Sequence, residues 1–397
     1  MSVPMQSEPE APAASGQIPL CASYIAGNDW AYVKDCLDSG WVSTAGPTVG
    51  RFEKALATHL DSSFAIATNA GTAALHVSLL VAGVKPDEEV IVSDMTFIAP
   101  VNAIRYVGAW PVLIDAEPEY WQMDVDRLSS FLERDCAPEN GALVNRRTGR
   151  RVRAIMPVHL LGHPCDLDVI RDLAAAYGLT LIEDSTESLG ALYKGTKIGA
   201  GGLSSLSFNG NKLLTTGGGG AIITDDPELA RRAMYLVTQA KDDPLEYVHH
   251  TIGFNYRMPS LSAALGLSQL ERIDEHVAAK HRIARRYATG LAGLPGISLM
   301  PKAPWAEPAF WLYTIRVDER RSSRSSRELM RLMAGEGIHC RPIFQPMHES
   351  EAHAGAQAIG GEVASRIVAE ALCLPSSVGL TEDDQDRVIA TIKEFAA

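Results

Sequence analysis

From Phe64 onward the apolar positions fall into short runs, and between several of them lie stretches in which they recur every three or four residues. The runs are 64–68 (FAIAT), 89–93 (EVIVS), 111–115 (PVLID), 153–157 (RAIMP), 180–184 (TLIED), 205–208 (SLSF) and 220–224 (GAIIT). They are too short for stable helices and rich in β-branched residues, so they read as strands. Helical spacing appears at 72–83 and 166–177. Alternation of this kind predicts an α/β domain with a mainly parallel sheet and helices on both faces. Ligands in such sheets bind beyond the carboxyl ends of the strands. After about residue 260 the texture changes. One long helical pattern covers 260–294 and closes on GLPG, followed by strand-like 311–317, a helix near 326–335 and strand-like 338–344. This predicts a large domain over 18–259 and a smaller α+β domain over 260–397.

Composition narrows the class. A chain of 397 residues with 46% apolar content has ample material for a core and suits one large or two medium domains. A net charge of -12 argues against a general nucleic-acid or anionic-membrane surface, yet a few local cations suffice for a small anionic ligand. The six cysteines are scattered without a CxxC pair. That predicts reduced thiols in a cytoplasmic protein, with no disulfide framework and no zinc site. Residues 1–17 lack a basic n-region and an apolar h-region, so a disordered tail is expected rather than a signal peptide. No run of 18 apolar residues occurs, so no spanning helix is expected.

The candidate chemistry lies just past the strands. NAGTAAL (69–75) follows the first run. Gly71 allows a tight turn, and Thr72 offers a hydroxyl where a helix begins, a ready place for an anion. Alone, this is better explained as an ordinary helix cap. Asp184 closes TLIED, where many acids merely cap the next helix. Lys212 follows SLSF and precedes TTGGGG. A lone lysine is usually a solvated surface charge, but a desolvated one can form a Schiff base. Together the three suit one cofactor, pyridoxal 5′-phosphate. Its aldehyde needs an amine, its ring nitrogen a carboxylate, and its phosphate N–H and hydroxyl donors. Lys212 would then also serve as general base and acid.

Six ordered motifs carry a family resemblance: NAGTAAL, MTFIAPVNAIRYVGAWPVLID, VHLLGHPCDLDVI, IEDSTESLGALYKG, SFNGNKLLTTGGGG and GFNYRMPSLSAALGLSQLE. From Ile18 to the C-terminus the chain resembles the DegT/DnrJ/EryC1/StrS sugar-nucleotide aminotransferases, of the aspartate-aminotransferase fold (type I). The resemblance implies Lys212 as the Schiff-base lysine, Asp184 at the ring nitrogen and Phe97 stacked on the ring. It implies Ser207 and Thr72, beside Gly71, at the phosphate, and Asn255 reaching the phosphate from a partner subunit in a homodimer with shared active sites. Glu187 departs from the Gln or His of many relatives, so its carboxylate must be protonated or paired. Lys212 stands where dehydratase relatives carry His, which favours transamination over a dehydratase, a lyase or a non-catalytic sugar-nucleotide binding protein. The segments IPLCASYIAGNDWAYVKDCLDSGWVSTAGPTVGRFE and TQAKDDPLEYVHHTIGFNYRM look like those of the C4 aminotransferases of the bacillosamine and legionaminic acid routes. That implies a UDP-linked 4-keto-6-deoxy-N-acetylhexosamine as acceptor and L-glutamate as donor. A GDP-linked, perosamine-type substrate is the alternative.

Further candidates remain. His159 and His163 form an HxxxH pair, but Gly162 and Pro164 break the helix a metal site would need. In the family the region near His159 faces the substrate, so His159 is a substrate candidate beside an equally good reading as a hydrogen-bonded structural histidine. Lys241, His249, His250 and Arg257 form a basic-leaning segment that could meet a nucleotide diphosphate. Each alone is as well explained by solvation or an ion pair with Asp242 or Asp243. Arg341 and His348, in RPIFQPMH, lie where relatives bring small-domain residues toward the site. The glycine runs at 199–202 and 217–220 lack dinucleotide-binding spacing.

Overall fold

The computed structural model describes residues 16–243 and 245–396. Residues 1–15 of the expected tail lie outside the described residues. The strands of the large lobe are β1 (Phe64–Thr68), β2 (Glu89–Ser93), β3 (Trp110–Ile114), β4 (Arg151–Met156), β5 (Glu183–Asp184), β6 (Ser204–Ser207) and β7 (Gly220–Thr224). The run at 180–184 is interrupted: Thr180–Leu181 pairs with β4, and Glu183–Asp184 with β6. A bridge between Val158 and Asp184 joins the two halves of the sheet. The spatial order is β1-β7-β6-β5-β4-β2-β3, extended beyond β3 by β8 (Gln357–Ile359). All these strands run parallel except β7, which is antiparallel to both neighbours.

Helices cover both faces. On one side α3 (Gly71–Val81), α4 (Ile98–Tyr106) and α6 (Pro227–Val237) bury Leu75, Leu79, Ile104 and Val237 against Val90, Val92 and Ile222. On the other, α5 (Leu167–Tyr177) packs Ile170 against Ile91 and Ile155. Strands covered on both faces bury most positions, leaving exposure mainly at their first residues (Phe64, Arg151), which explains the near-continuous apolar runs. The C-terminal lobe closes its core around Tyr287, Ile315, Leu329, Ile367 and Ile392. Ile18 is part of this core and its N–H donates to Gly337, so the start of the described chain is sewn into the second lobe.

Two elements differ from the pattern. The helix expected over 260–294 is two, α7 (Ser260–Glu271) and α8 (Ile273–Leu291). Arg272 leaves helical geometry (φ -115°, ψ 13°). Leu270 and Ile273 both enter one core, so the apolar period passes the break without a mark. The segment 338–344 forms single bridges, Ile338 to Ile18 and Arg341 to Cys373, rather than a strand. Pro342 supplies no N–H for a ladder.

Candidate active site

The parallel strands end at one cavity of about 300 Å³, lined by residues following β1, β2, β5 and β6 and by the C-terminal lobe. Its first corner is the start of α3. Ala70 is extended (φ -160°, ψ 153°), and no side chain caps the helix. The first-turn N–H groups therefore have no intrahelical acceptor, and the helix dipole adds positive potential there. Thr72 and Ser207, both half-buried, line this corner. Gly71 is set by close approach: a Cβ there would stand 2.7 Å from the Cβ of Ser207. Gly71→Ala is expected to displace Ser207, lower stability by about 1–3 kcal/mol and weaken cofactor binding. Thermal melts and a cofactor titration of the apoprotein check both.

The second corner holds the ionisable groups. Asp184 is 2% exposed and accepts the N–H of Thr186 at 3.0 Å. Glu187 accepts the N–H of Leu161 at 2.7 Å and lies 3.5 Å from Lys212 Nζ. Leu161 reaches it from a left-handed conformation (φ 57°), strain that the surrounding structure must hold in place. Burial pushes both carboxyls up. The Thr186 N–H and then Lys212 pull Asp184 back in part, and Lys212 and then the Leu161 N–H do so for Glu187. Glu187 is thus paired, as its position requires.

A carboxyl with a raised folded value stabilises the fold below the ordinary carboxylate range, about pH 4, and loses that contribution as pH rises through the folded value. Relative to the ionised carboxylate of the unfolded chain, the buried Asp184 carboxyl therefore destabilises the apoprotein at neutral pH. Asp184→Asn, whose oxygen can still accept the Thr186 N–H, is expected to raise the apoprotein's melting temperature at pH 7 and leave it nearly unchanged at pH 4. Paired thermal melts test this.

Rings form the remaining wall. Phe97 is 53% exposed and lies 5.3 Å from Phe344, which stacks on Trp311 at 6.4 Å. Lys212 Nζ stands 3.8 Å from the Trp311 ring centroid, a cation–π distance. Trp311, Phe344, Asn209, Asn211 and Thr96 line the cavity without having been singled out from sequence. Trp311 carried a strand-like signal indistinguishable from core. Only the docking of the second lobe brings it and Phe344 here.

Gly71, Thr72, Phe97, Asp184, Glu187, Ser207 and Lys212 thus meet in one cavity. The other candidates do not line it. His159 is fully buried: Cys165 N–H donates to its Nδ1, leaving Nε2 to face Glu183 at 3.3 Å, so it supports β5 from beneath and is closed to a substrate. His163 accepts the N–H of Ala303. Arg257 is held bidentately by Glu53. Lys241 lies over Tyr247 at 4.3 Å, and His249 Nδ1 bonds the Gln239 carbonyl. His348 clasps Asp94 at 2.6 Å, tying the second lobe to the loop after β2. Asn255 is exposed, and its carbonyl accepts from Asn69.

The family model of the DegT/DnrJ/EryC1/StrS aminotransferases matches residues 23–393. The chain belongs to this family. Its relatives include the GDP-perosamine synthase of Caulobacter vibrioides, 40% identical over 95% of this chain and 98% of that protein. The GDP-perosamine synthase of Escherichia coli O157:H7 is 36% identical over 83% of this chain and 85% of its own length. DesV of S. venezuelae, solved in complex with a ketimine intermediate, superposes with a TM-score of 0.83 at 33% identity, covering 93% of this chain and 94% of DesV. Spr1654 of Streptococcus pneumoniae, solved in its PLP-form, gives 0.84 at 27% identity, over 96% of this chain and 98% of that one. The protein is a sugar-nucleotide aminotransferase of fold type I, dependent on pyridoxal phosphate. The cavity fits that group: an uncapped helix start with two hydroxyls for a phosphate, a buried carboxylate for a cationic ring nitrogen, an amine for an aldehyde, and an open aromatic face. Among the described residues no helix is long and apolar enough to cross a membrane.

Proposed function

We propose that this aminotransferase moves an amino group from L-glutamate to C4 of a GDP-linked 4-keto-6-deoxyhexose. The observation that carries the reaction type is the meeting of Lys212, Asp184 and the α3 start in one cavity. Lys212 would hold the cofactor aldehyde, and its amine would move protons at the donor's Cα. Asp184 keeps the ring nitrogen protonated. Thr72, Ser207 and the α3 N–H groups hold the phosphate, and Phe97 covers the ring. Glu187 holds the Lys212 amine in line. The cofactor, when bound, supplies the electron sink and the carbonyl through which the amine is exchanged. Asn255, exposed and outside its own chain's cavity, suits the role of completing the phosphate site of a second copy in a homodimer.

For the acceptor, the segment likeness favours a UDP-linked N-acetylhexosamine, whereas the 40% and 36% identical relatives bear the name GDP-perosamine synthase. Near-complete coverage by the former makes the GDP-linked sugar the preferred reading. A panel of GDP-, UDP- and dTDP-linked 4-keto-6-deoxy sugars with L-glutamate decides it. The reading expects the highest kcat/KM for the GDP-linked sugar. A clear preference for the UDP-linked N-acetyl sugar overturns it.

A further inference from the structure

Lys280, on α8, is 1% exposed. Its ammonium has no carboxylate partner among the described residues. It donates instead to the Trp311 carbonyl at 2.8 Å and to the Ser376 carbonyl, and stands 3.9 Å from Cys21 Sγ. Burying an ammonium without a counter-charge is costly, and burial pulls this amine's pKa down. Its N–H groups serve two buried carbonyls, which an apolar side chain would leave unpaired.

Two of its three contacts lead to one atom. Trp311 Nε1 donates to the Asn211 carbonyl at 2.7 Å, and Cys21 Sγ donates to the same carbonyl at 3.0 Å. Asn211 immediately precedes Lys212. The Trp311 ring is also the face on which the Lys212 amine rests, at 3.8 Å. Trp311 is pinned at its N–H as well, by the Leu161 carbonyl at 3.0 Å, and the Leu161 N–H holds Glu187. Both neighbours of the Lys212 amine, the carboxylate and the indole, are therefore fixed by one hydrogen-bonded frame with Lys280 at its far end.

We propose that Lys280 is a positioning residue for Lys212: through Trp311 and Cys21 it fixes the Asn211 carbonyl and the indole face, and so sets where the reactive amine stands. The inference rests on Lys212 being the amine that holds the cofactor. Displacing an amine by a fraction of an ångström alters the pH at which its cofactor linkage titrates and slows proton transfer more than it weakens substrate binding.

The test uses holoenzyme carrying Lys280→Met, Trp311→Phe and the pair together. Trp311→Phe keeps a ring but loses the N–H to Asn211, so it reads the same frame if Lys280→Met fails to fold. Each single variant is expected to lower kcat by about 10–100-fold with KM for the nucleotide sugar nearly unchanged. Each is also expected to move the pH midpoint of the visible cofactor band by about half a unit or more and to weaken cofactor retention on dialysis. The double variant is expected to be no worse than the worse single, because both act through one path. A band and kcat unchanged in Trp311→Phe overturn the proposal, as does strict additivity of the two changes. Absence of the band in the wild-type enzyme would instead strike at the assignment of Lys212 itself.

Discussion

Lys212→Ala is expected to lower amino transfer by about 10⁴-fold or more while leaving the fold intact. Two losses combine in this change. On the proposed reading, the amine that would hold the cofactor is gone, and so is the group that would move protons during each half-reaction. The fold survives because the side chain fills the cavity wall rather than the core: it touches Glu187 at 3.5 Å and the Trp311 face at 3.8 Å. Its removal leaves Glu187 with the Leu161 N–H as its remaining contact in the site. Glu187 then responds by taking up a proton more readily, since Lys212 is the strongest influence holding its carboxyl down. Single-turnover kinetics with L-glutamate, beside a circular-dichroism melt, separates loss of chemistry from loss of structure. A variant that retains more than a tenth of wild-type activity contradicts the assigned role.

Asp184→Asn produces the second largest effect, a fall in kcat of about 10²–10³-fold, the size expected when one preorganised charge facing a reacting group is removed. The carboxyl is 2% exposed and steered by the Thr186 N–H, so on the proposed reading it would meet the ring nitrogen in a water-poor setting. An amide there keeps the shape but not the charge that favours a protonated ring. The same variant is expected to stabilise the apoprotein at neutral pH. Opposite signs for activity and stability in one substitution mark a residue retained for chemistry at a cost to the fold. Rapid-mixing measurement of the glutamate half-reaction checks the kinetic half. An undiminished rate would remove Asp184 from the mechanism.

Much of the site was legible because its residues sit at strand ends, and the strands announced themselves. FAIAT, EVIVS and GAIIT are strands over their full predicted spans, the runs at 111–115, 153–157 and 205–208 shift by one or two residues, the run at 180–184 is interrupted, and the strand expected at 311–317 begins only at Thr314. Gly71, Thr72, Asp184 and Lys212 were candidates because they sit at or just past those ends, while Ser207 came from the family resemblance. What depends on docking was not legible. Trp311 and Phe344 join the cavity only through the second lobe, 99 and 132 positions beyond Lys212 in the chain. The edge strand Gln357–Ile359 joins β3 from far along the chain without a periodic signal of its own. Polar identity likewise did not reveal a partner. Arg257 and His159 carried the right chemistry for a substrate, yet Glu53 and Glu183 already hold them. Glu187 was singled out three residues past Asp184, but its pairing with Lys212 depends on the folded approach of two loops.

On the proposed function, Lys212 and Asp184 hold a cofactor that accepts an amine from glutamate. The most direct measurement is the visible spectrum of the purified protein, recorded before and after adding L-glutamate without acceptor sugar. The expected result is a lysine-bound cofactor band in the wild type that L-glutamate converts to the pyridoxamine form, and no such band in Lys212→Ala. A wild-type protein without the band, a band that L-glutamate leaves unchanged, or the same band in Lys212→Ala would contradict it.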